Sequence, residues 1–197
     1  GMPIGGVIAC QDVIIPHAVG NDIGCGMAYI STDVPAELLT EIITPNGTLL
    51  QAIVGDILRN IPVGFAHHKT DQPSEVLAKA SQNPSLSLSR QSDLLPEIEA
   101  AYRQIGTLGG GNHFIELQKD EAGYLAIMLH SGSRRLGKEI CHYFNQLAKM
   151  LNARWHTKVP EEYGLPFLPI DSEEGQAYLA WMTLALDFAE ENRAVML

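Results

Sequence analysis

Residues 134–156, RRLGKEICHYFNQLAKMLNARWH, place Leu136, Ile140, Tyr143, Phe144, Leu147, Met150 and Leu151 along one stripe of a helix with a 3.6-residue period, leaving Cys141 and His142 off it. A single apolar stripe on a helix of this length has to be buried against another layer. A second long helix is expected to begin near Asp171, whose side chain caps it while Glu174 reaches back as in a capping box, and to run through AYLAWMTLALDFAEENRAVML. It meets neither glycine nor proline before Leu197, and Gly1-Met2 reads as an expression remnant, so the chain is expected to be cut at both ends.

The remaining elements are shorter. Gly6 to Ala9, Val13 to Ile15 and Met27 to Ser31 read as three strands separated by turn residues. Leu49, Leu50, Ile53, Val54, Ile57, Leu58 and Ile61 return to the helical period, with Thr48 as N-cap and Pro62 and Gly64 as the stop. Residues 67–95 are polar and loop-rich around a short helix near Glu75 to Ala80, and NPSLSLSRQSD is the least patterned stretch, where motion is expected. A helix from about Leu94 to Ile105 tolerates Pro96 in its first turn. After it, GTLGGGNHFIELQ and YLAIMLHSGS each read as a strand joined to a glycine-rich turn. This order predicts an α+β fold, a mixed or antiparallel sheet core flanked by helices, in one domain over residues 1–197 without internal repeat or linker.

Composition narrows the function. Thirteen basic against 23 acidic residues leave a net charge of −10, the wrong sign for coating nucleic acid, so a phosphate ligand must be held locally. No apolar run approaches the ~20 residues of a membrane span and no signal-like segment opens the chain, which predicts a cytoplasmic protein. Cys10, Cys25 and Cys141 are too few and too unevenly spaced for a disulfide framework.

Chemistry-bearing residues concentrate where strands meet glycines: Asp22 with Cys25, Asn112 with His113, and His130 with Ser131 and Ser133. One carboxylate, one thiolate and two imidazoles suit zinc, or a softer-than-usual manganese or iron site, and a cysteine sulfur can bridge two ions. Asp22-x-x-Cys25 alone reads equally as a tight turn with a buried thiol, and His113 alone as a satisfied core residue. The three glycines before Asn112 cost conformational entropy and call for a compensating reason. Ser133 is a candidate N-cap, and the N–H groups beyond it, with Arg134, form either an anion site or an ordinary capped helix. His67 and His68 are adjacent and face opposite ways, and His17, His142 and His156 read as solvent or packing residues.

Taken together, PHAVGNDIGCGM, IPVGFAHHK, GTLGGGNHFIELQ, MLHSGSRRLGKEI and FAEENRAVML, in this order, resemble the RtcB-type RNA ligases, the tRNA-splicing ligase family, from about Pro3 to Leu197. The resemblance implies a manganese- and GTP-dependent enzyme joining RNA 3′-phosphate or 2′,3′-cyclic phosphate ends to 5′-hydroxyl ends, as in tRNA splicing and RNA repair. It implies Asp22, Cys25, His113 and His130 as ligands of one or two manganese ions, with Cys25 as the bridge and zinc as a possible occupant on purification. It implies Asn112 at the guanylate and, as a weaker transfer, Arg134 at an RNA phosphate. The family's guanylated histidine is expected beyond Leu197, so the chain is expected to hold an incomplete catalytic core with no nucleophile assigned. The rival readings are a shortened relative that binds metal or RNA ends without ligating, and a metal-dependent phosphoesterase.

Overall fold

The computed structural model describes residues 5–86 and 92–197. Its sheet is antiparallel and three-stranded, in the order β2 (Gly26–Pro35), β6 (Tyr124–Ser131), β5 (Phe114–Lys119). Two short ribbons join it: β1 (Val13–Ile14) pairs with β7 (Leu168–Pro169), and β3 (Ile43–Thr44) with β4 (Gly47–Thr48). The helices are α1 (Pro16–Val19), α2 (Leu38–Glu41), α3 (Leu49–Asn60), α4 (Glu75–Ala80), α5 (Leu95–Ala101), α6 (Arg134–Arg154) and α7 (Glu173–Met196). No helix among the described residues is long and apolar enough to cross a membrane.

The core forms where α6 and α7 cross. Leu136, Ile140 and Phe144 from α6 meet Tyr178, Trp181, Ala185 and Phe188 from α7, all essentially without exposed surface. Phe144 packs its ring on Tyr178 with centroids 5.2 Å apart. The buried α7 positions 178, 181, 185, 188 and 192 keep the helical period, so one face of α7 lies on the core for its whole length. Ile98 and Ala101 of α5, Leu77 and Ala80 of α4, and Ile23 complete the cluster.

Several expectations are corrected. Gly6 to Ala9 forms no strand, because nothing among the described residues pairs with it and Val7 is 95% exposed. The α6 face is rotated: Cys141 is buried with its thiol 3.6 Å from the Pro16 carbonyl, whereas Met150 is 66% exposed, because α1 covers the side that the apolar stripe alone leaves open. The N-cap of α7 is Ser172, whose hydroxyl accepts from the Gly175 N–H at 3.0 Å, rather than Asp171. The helix expected to reach Ile105 leaves the α form after Ala101, since the carbonyls of Tyr102 and Arg103 accept from Gln72 and His68 of the neighbouring loop.

Thr48 does cap α3, in a reciprocal capping box with Gln51. The apolar stripe of α3 is nonetheless not core: none of its residues is buried, and Leu58 is 68% exposed. The α3 helix lies on α2 and the β3–β4 ribbon, away from the α6–α7 crossing. The unpatterned stretch NPSLSLSRQSD falls partly outside the described residues, and on either side of that gap Pro84–Leu86 and Ser92–Leu94 form 3-10 turns. The reading of Gly1-Met2 also lies outside the described residues.

Phe144 is the central side chain of this core, so Phe144→Ala removes a packed ring that its neighbours cannot replace. Urea unfolding is expected to report a loss of about 3–5 kcal/mol, and a loss below about 1 kcal/mol would place the core elsewhere.

Candidate metal centre

Register brings the centre together. On the central strand β6, His130 is paired with Met27 of β2 on one side and Phe114 of β5 on the other. Cys25 immediately precedes β2, and His113 immediately precedes β5. Because both flanking strands run antiparallel to β6, their beginnings lie beside its end, and Cys25, His113 and His130 meet at one edge of the sheet.

The local sequence aims them. In Asp22-Ile23-Gly24-Cys25, the Cys25 N–H donates to the Asp22 carbonyl at 3.0 Å, and Ile23, 1% exposed, is driven into the core. That anchor turns Asp22 and Cys25 outward. Gly24 has φ +74°, and a Cβ there would stand 2.9 Å from Ala189 Cβ of α7, so this corner takes only glycine. Gly109 answers the question raised by the glycine run, since its φ is +90° and a Cβ would overlap the Arg134 guanidinium.

Both imidazoles are held in the same way. His113 Nδ1 lies 2.8 Å from the Leu108 carbonyl, and His130 Nδ1 lies 3.1 Å from the Asn112 carbonyl. A carbonyl only accepts, so each Nδ1 is the donor to it, and in the neutral imidazole Nε2 then presents its lone pair. His113 Nε2 points to Asp22 Oδ2 at 2.7 Å and Cys25 Sγ at 3.5 Å, and His130 Nε2 points to Cys25 Sγ at 3.0 Å. Two lone-pair atoms such as Nε2 and a carboxylate oxygen repel at 2.7 Å unless a cation or proton lies with them. Pinned Nδ1 atoms and convergent Nε2 atoms are what metal-ligating histidines require.

Asp22, Cys25 and His113 each place a donor within 4.8 Å of the other two. His130 joins this set through the sulfur of Cys25. Without a metal the Cys25 thiol is pushed up to about 12 by desolvation and by its hydrogen bond and charge contact with Asp22, against the lowering pull of Arg193 and Arg134. The thiol is therefore protonated at neutral pH, and a bound cation is what would make it a thiolate.

Arg134 opens α6 with φ +57° and stands behind His113. Its Nε donates to Thr107 Oγ1 at 3.2 Å and its Nη2 to the Gly64 carbonyl at 3.4 Å. Burial lowers its pKa, while Asp22 and Cys25 raise it. A cleft of about 1300 Å³ leads to this point, walled by Asn112, His113, Arg134, Gln104 and Phe65. Arg103 and Arg135, also on the cleft, are paired at 2.9 Å with Asp71 and Glu97, whereas none of Arg134's hydrogen-bond partners among the described residues is a carboxylate.

Two expectations change here. Ser133 precedes α6 but makes no side-chain cap; its Oγ is buried without a partner among the described residues, and Gly137 leaves it room. The cap of the Arg135 N–H comes from Gln104 Oε1 at 3.0 Å, so the open helix end expected as an anion site is partly closed. Asn112 is exposed, with its carbonyl on His130 and its side chain on the cleft wall. His68 is held to the Gly106 carbonyl at 3.3 Å, and His17 Nδ1 lies 2.7 Å from the Gly164 carbonyl.

Sequence reasoning missed Gly132, Asn192 and Arg193. A Cβ on Gly132 would stand 2.2 Å from Asp22 Oδ1, so this glycine makes room for the carboxylate. Asn192 is fully buried beside the two site loops, and an asparagine at the helical spacing that continues Tyr178, Trp181, Ala185 and Phe188 is the signal that could have flagged it.

A family model described as tRNA-splicing ligase RtcB matches residues 1–197. The RNA-splicing ligase RtcB of Escherichia coli K12 is 32% identical across the whole chain. The tRNA-splicing ligase RtcB of Thermococcus kodakarensis is 29% identical, and the RNA-splicing ligase RtcB of Mycobacterium tuberculosis 30%, each again over the whole chain. The chain spans about half the length of these relatives, 48%, 48% and 54% respectively.

Gly132→Ala is expected to push Asp22 away from His113 and to weaken divalent-metal binding about tenfold or more, as loss of a well-placed support does elsewhere. Isothermal titration reads the change, and an unaltered affinity would remove Asp22 from the centre.

Proposed function

The chain belongs to the tRNA-splicing ligase RtcB family, and from that premise we propose that it forms the metal-binding core of a manganese- and GTP-dependent RNA ligase. The reaction proposed joins an RNA 3′-phosphate or 2′,3′-cyclic phosphate end to a 5′-hydroxyl end, in the cytoplasm. The observation that carries the reading is the convergence of two Nε2 lone pairs, a carboxylate and a thiol, with both Nδ1 atoms fixed to backbone carbonyls.

Asp22, Cys25 and His113 would hold one manganese ion, and His130 with Cys25 would offer donors to a second. The donor set mixes nitrogen, oxygen and sulfur, so it also accepts zinc. When bound, the ions supply positive charge that neutralises phosphoryl oxygens and aligns the reacting groups. The residues do the rest. Arg134, half-buried and with no carboxylate among its hydrogen-bond partners in the described residues, receives an RNA phosphate, because a partly desolvated cation favours an anion. Asn112, also on the cleft wall, presents its amide to the guanylate. A local metal site also explains how a chain of net charge −10 binds an RNA end: its charge opposes broad coating of the strand and leaves recognition to this cleft.

No residue of the chain is assigned as the guanylated nucleophile, which separates this reading from a complete ligase in 197 residues. Incubated with labelled GTP and manganese, the 197-residue chain alone is expected to take no covalent label, while the full-length protein takes it and joins RNA halves. A labelled band from the chain alone would overturn the assignment. Cys25→Ala is expected to abolish tight manganese binding, and unchanged metal content by elemental analysis would sink the centre.

A further inference from the structure

The last turns of α7 carry four polar residues in succession, Glu190 to Arg193, of which Glu191, Asn192 and Arg193 turn onto the rest of the molecule. Successive helical residues point about 100° apart, so the three reach three separate segments. Glu191 accepts from Ser74 Oγ at 2.5 Å and the Glu75 N–H at 2.8 Å, holding the start of α4. Asn192 Oδ1 accepts from the N–H groups of Gly106 and Thr107 at 2.8 and 3.2 Å. Its Nδ2 donates at 3.2 Å to the Gly132 and Thr107 carbonyls. Arg193 Nη1 donates to the Gly24 carbonyl at 2.7 Å and the Ser131 carbonyl at 3.0 Å.

Those two carbonyls belong to the residue before Cys25 and the residue after His130. Cys25 lies between Gly24 and Gly26, the part of the backbone with the least restraint of its own. Gly26 leaves its face open to the guanidinium, whose central carbon would be 3.6 Å from a Cβ there. A terminal guanidinium nitrogen has two N–H bonds, and Arg193 directs one at each carbonyl. One nitrogen thus ties the backbone beside the thiol to the backbone beside the imidazole, across the 3.0 Å gap between Cys25 Sγ and His130 Nε2.

Resting on the metal-centre reading above, we propose that Arg193 is a positioning residue that sets the distance between Cys25 and His130, and that the last turns of α7 thereby control metal binding. It touches no donor atom. Its charge also pulls on the Cys25 thiol, but the spacing is set by the two-pronged hydrogen bond. Lysine keeps the charge but presents it on a different stem without the planar fork.

Cobalt(II) titration of the full-length protein tests this, because thiolate ligation adds a charge-transfer absorption that reports Cys25 directly. Wild type is expected to show the band and Cys25→Ala to lack it. Both Arg193→Gln and Arg193→Lys are expected to weaken cobalt affinity about tenfold or more and to shift or diminish the band, with far-UV circular dichroism unchanged. Wild-type affinity and spectrum in both variants would overturn the proposal. So would rescue by lysine alone, which would make the role one of charge, and so would loss of the fold in both, which would make Arg193 a residue of the fold itself. A wild-type protein without any thiolate band would instead overturn the metal-centre reading on which the proposal stands.

Discussion

The antiparallel register of three strands is the constraint on which the rest of the site depends. With His130 paired to Met27 and Phe114, the residues just outside the flanking strands, Cys25 and His113, are forced to the same edge as the last residues of β6. A one-residue slip of either outer strand would turn its ligand to the other face of the sheet. Register is protected by burial, since Ala126 and Leu129, on opposite faces of β6, are both without exposed surface, and α7 packs against this strand. Packing of the long helices and placement of the donors are thus one problem, solved by the same strands.

The chemistry follows from which groups are already satisfied. Each imidazole spends its N–H on a backbone carbonyl, so the nitrogen left over faces the thiol and, for His113, the carboxylate. The thiol is held protonated by desolvation and by Asp22. The same crowded groups, with the thiol ionised, become a favourable ligand set around a cation. Arg134 repeats the logic with opposite sign, being a half-buried guanidinium on the cleft wall whose hydrogen-bond partners among the described residues are the Thr107 hydroxyl, the Gly64 carbonyl and the His113 ring.

The strongly periodic parts of the sequence foretold their structure. The two long helices, strands β5 and β6 and the Thr48 cap of α3 follow from spacing and capping chemistry, and the α+β class with them. Burial was read less well, because which face of a helix is covered depends on partners distant in sequence. Cys141 is buried only because α1 lies across α6, and the apolar stripe of α3 has no counterpart in the main core. At the site, Asp22, Cys25, His113 and His130 were legible as residue types at glycine turns, and their meeting was not, since it depends on pairing across about a hundred residues of sequence. Gly132 and Arg193 left no trace in the sequence pattern: one acts by lacking a side chain, the other through backbone carbonyls.

Membership of the RtcB family gives these donors a context, and the chain spans about half the length of the relatives it matches. The central claim is that the sheet edge is a manganese centre bridged by Cys25. Anomalous scattering at the manganese edge, from crystals of the full-length protein grown with manganese, tests it most directly. The account predicts a peak enclosed by Asp22, Cys25 and His113, with any second peak between Cys25 and His130; manganese bound elsewhere, with this edge of the sheet bare, would contradict it.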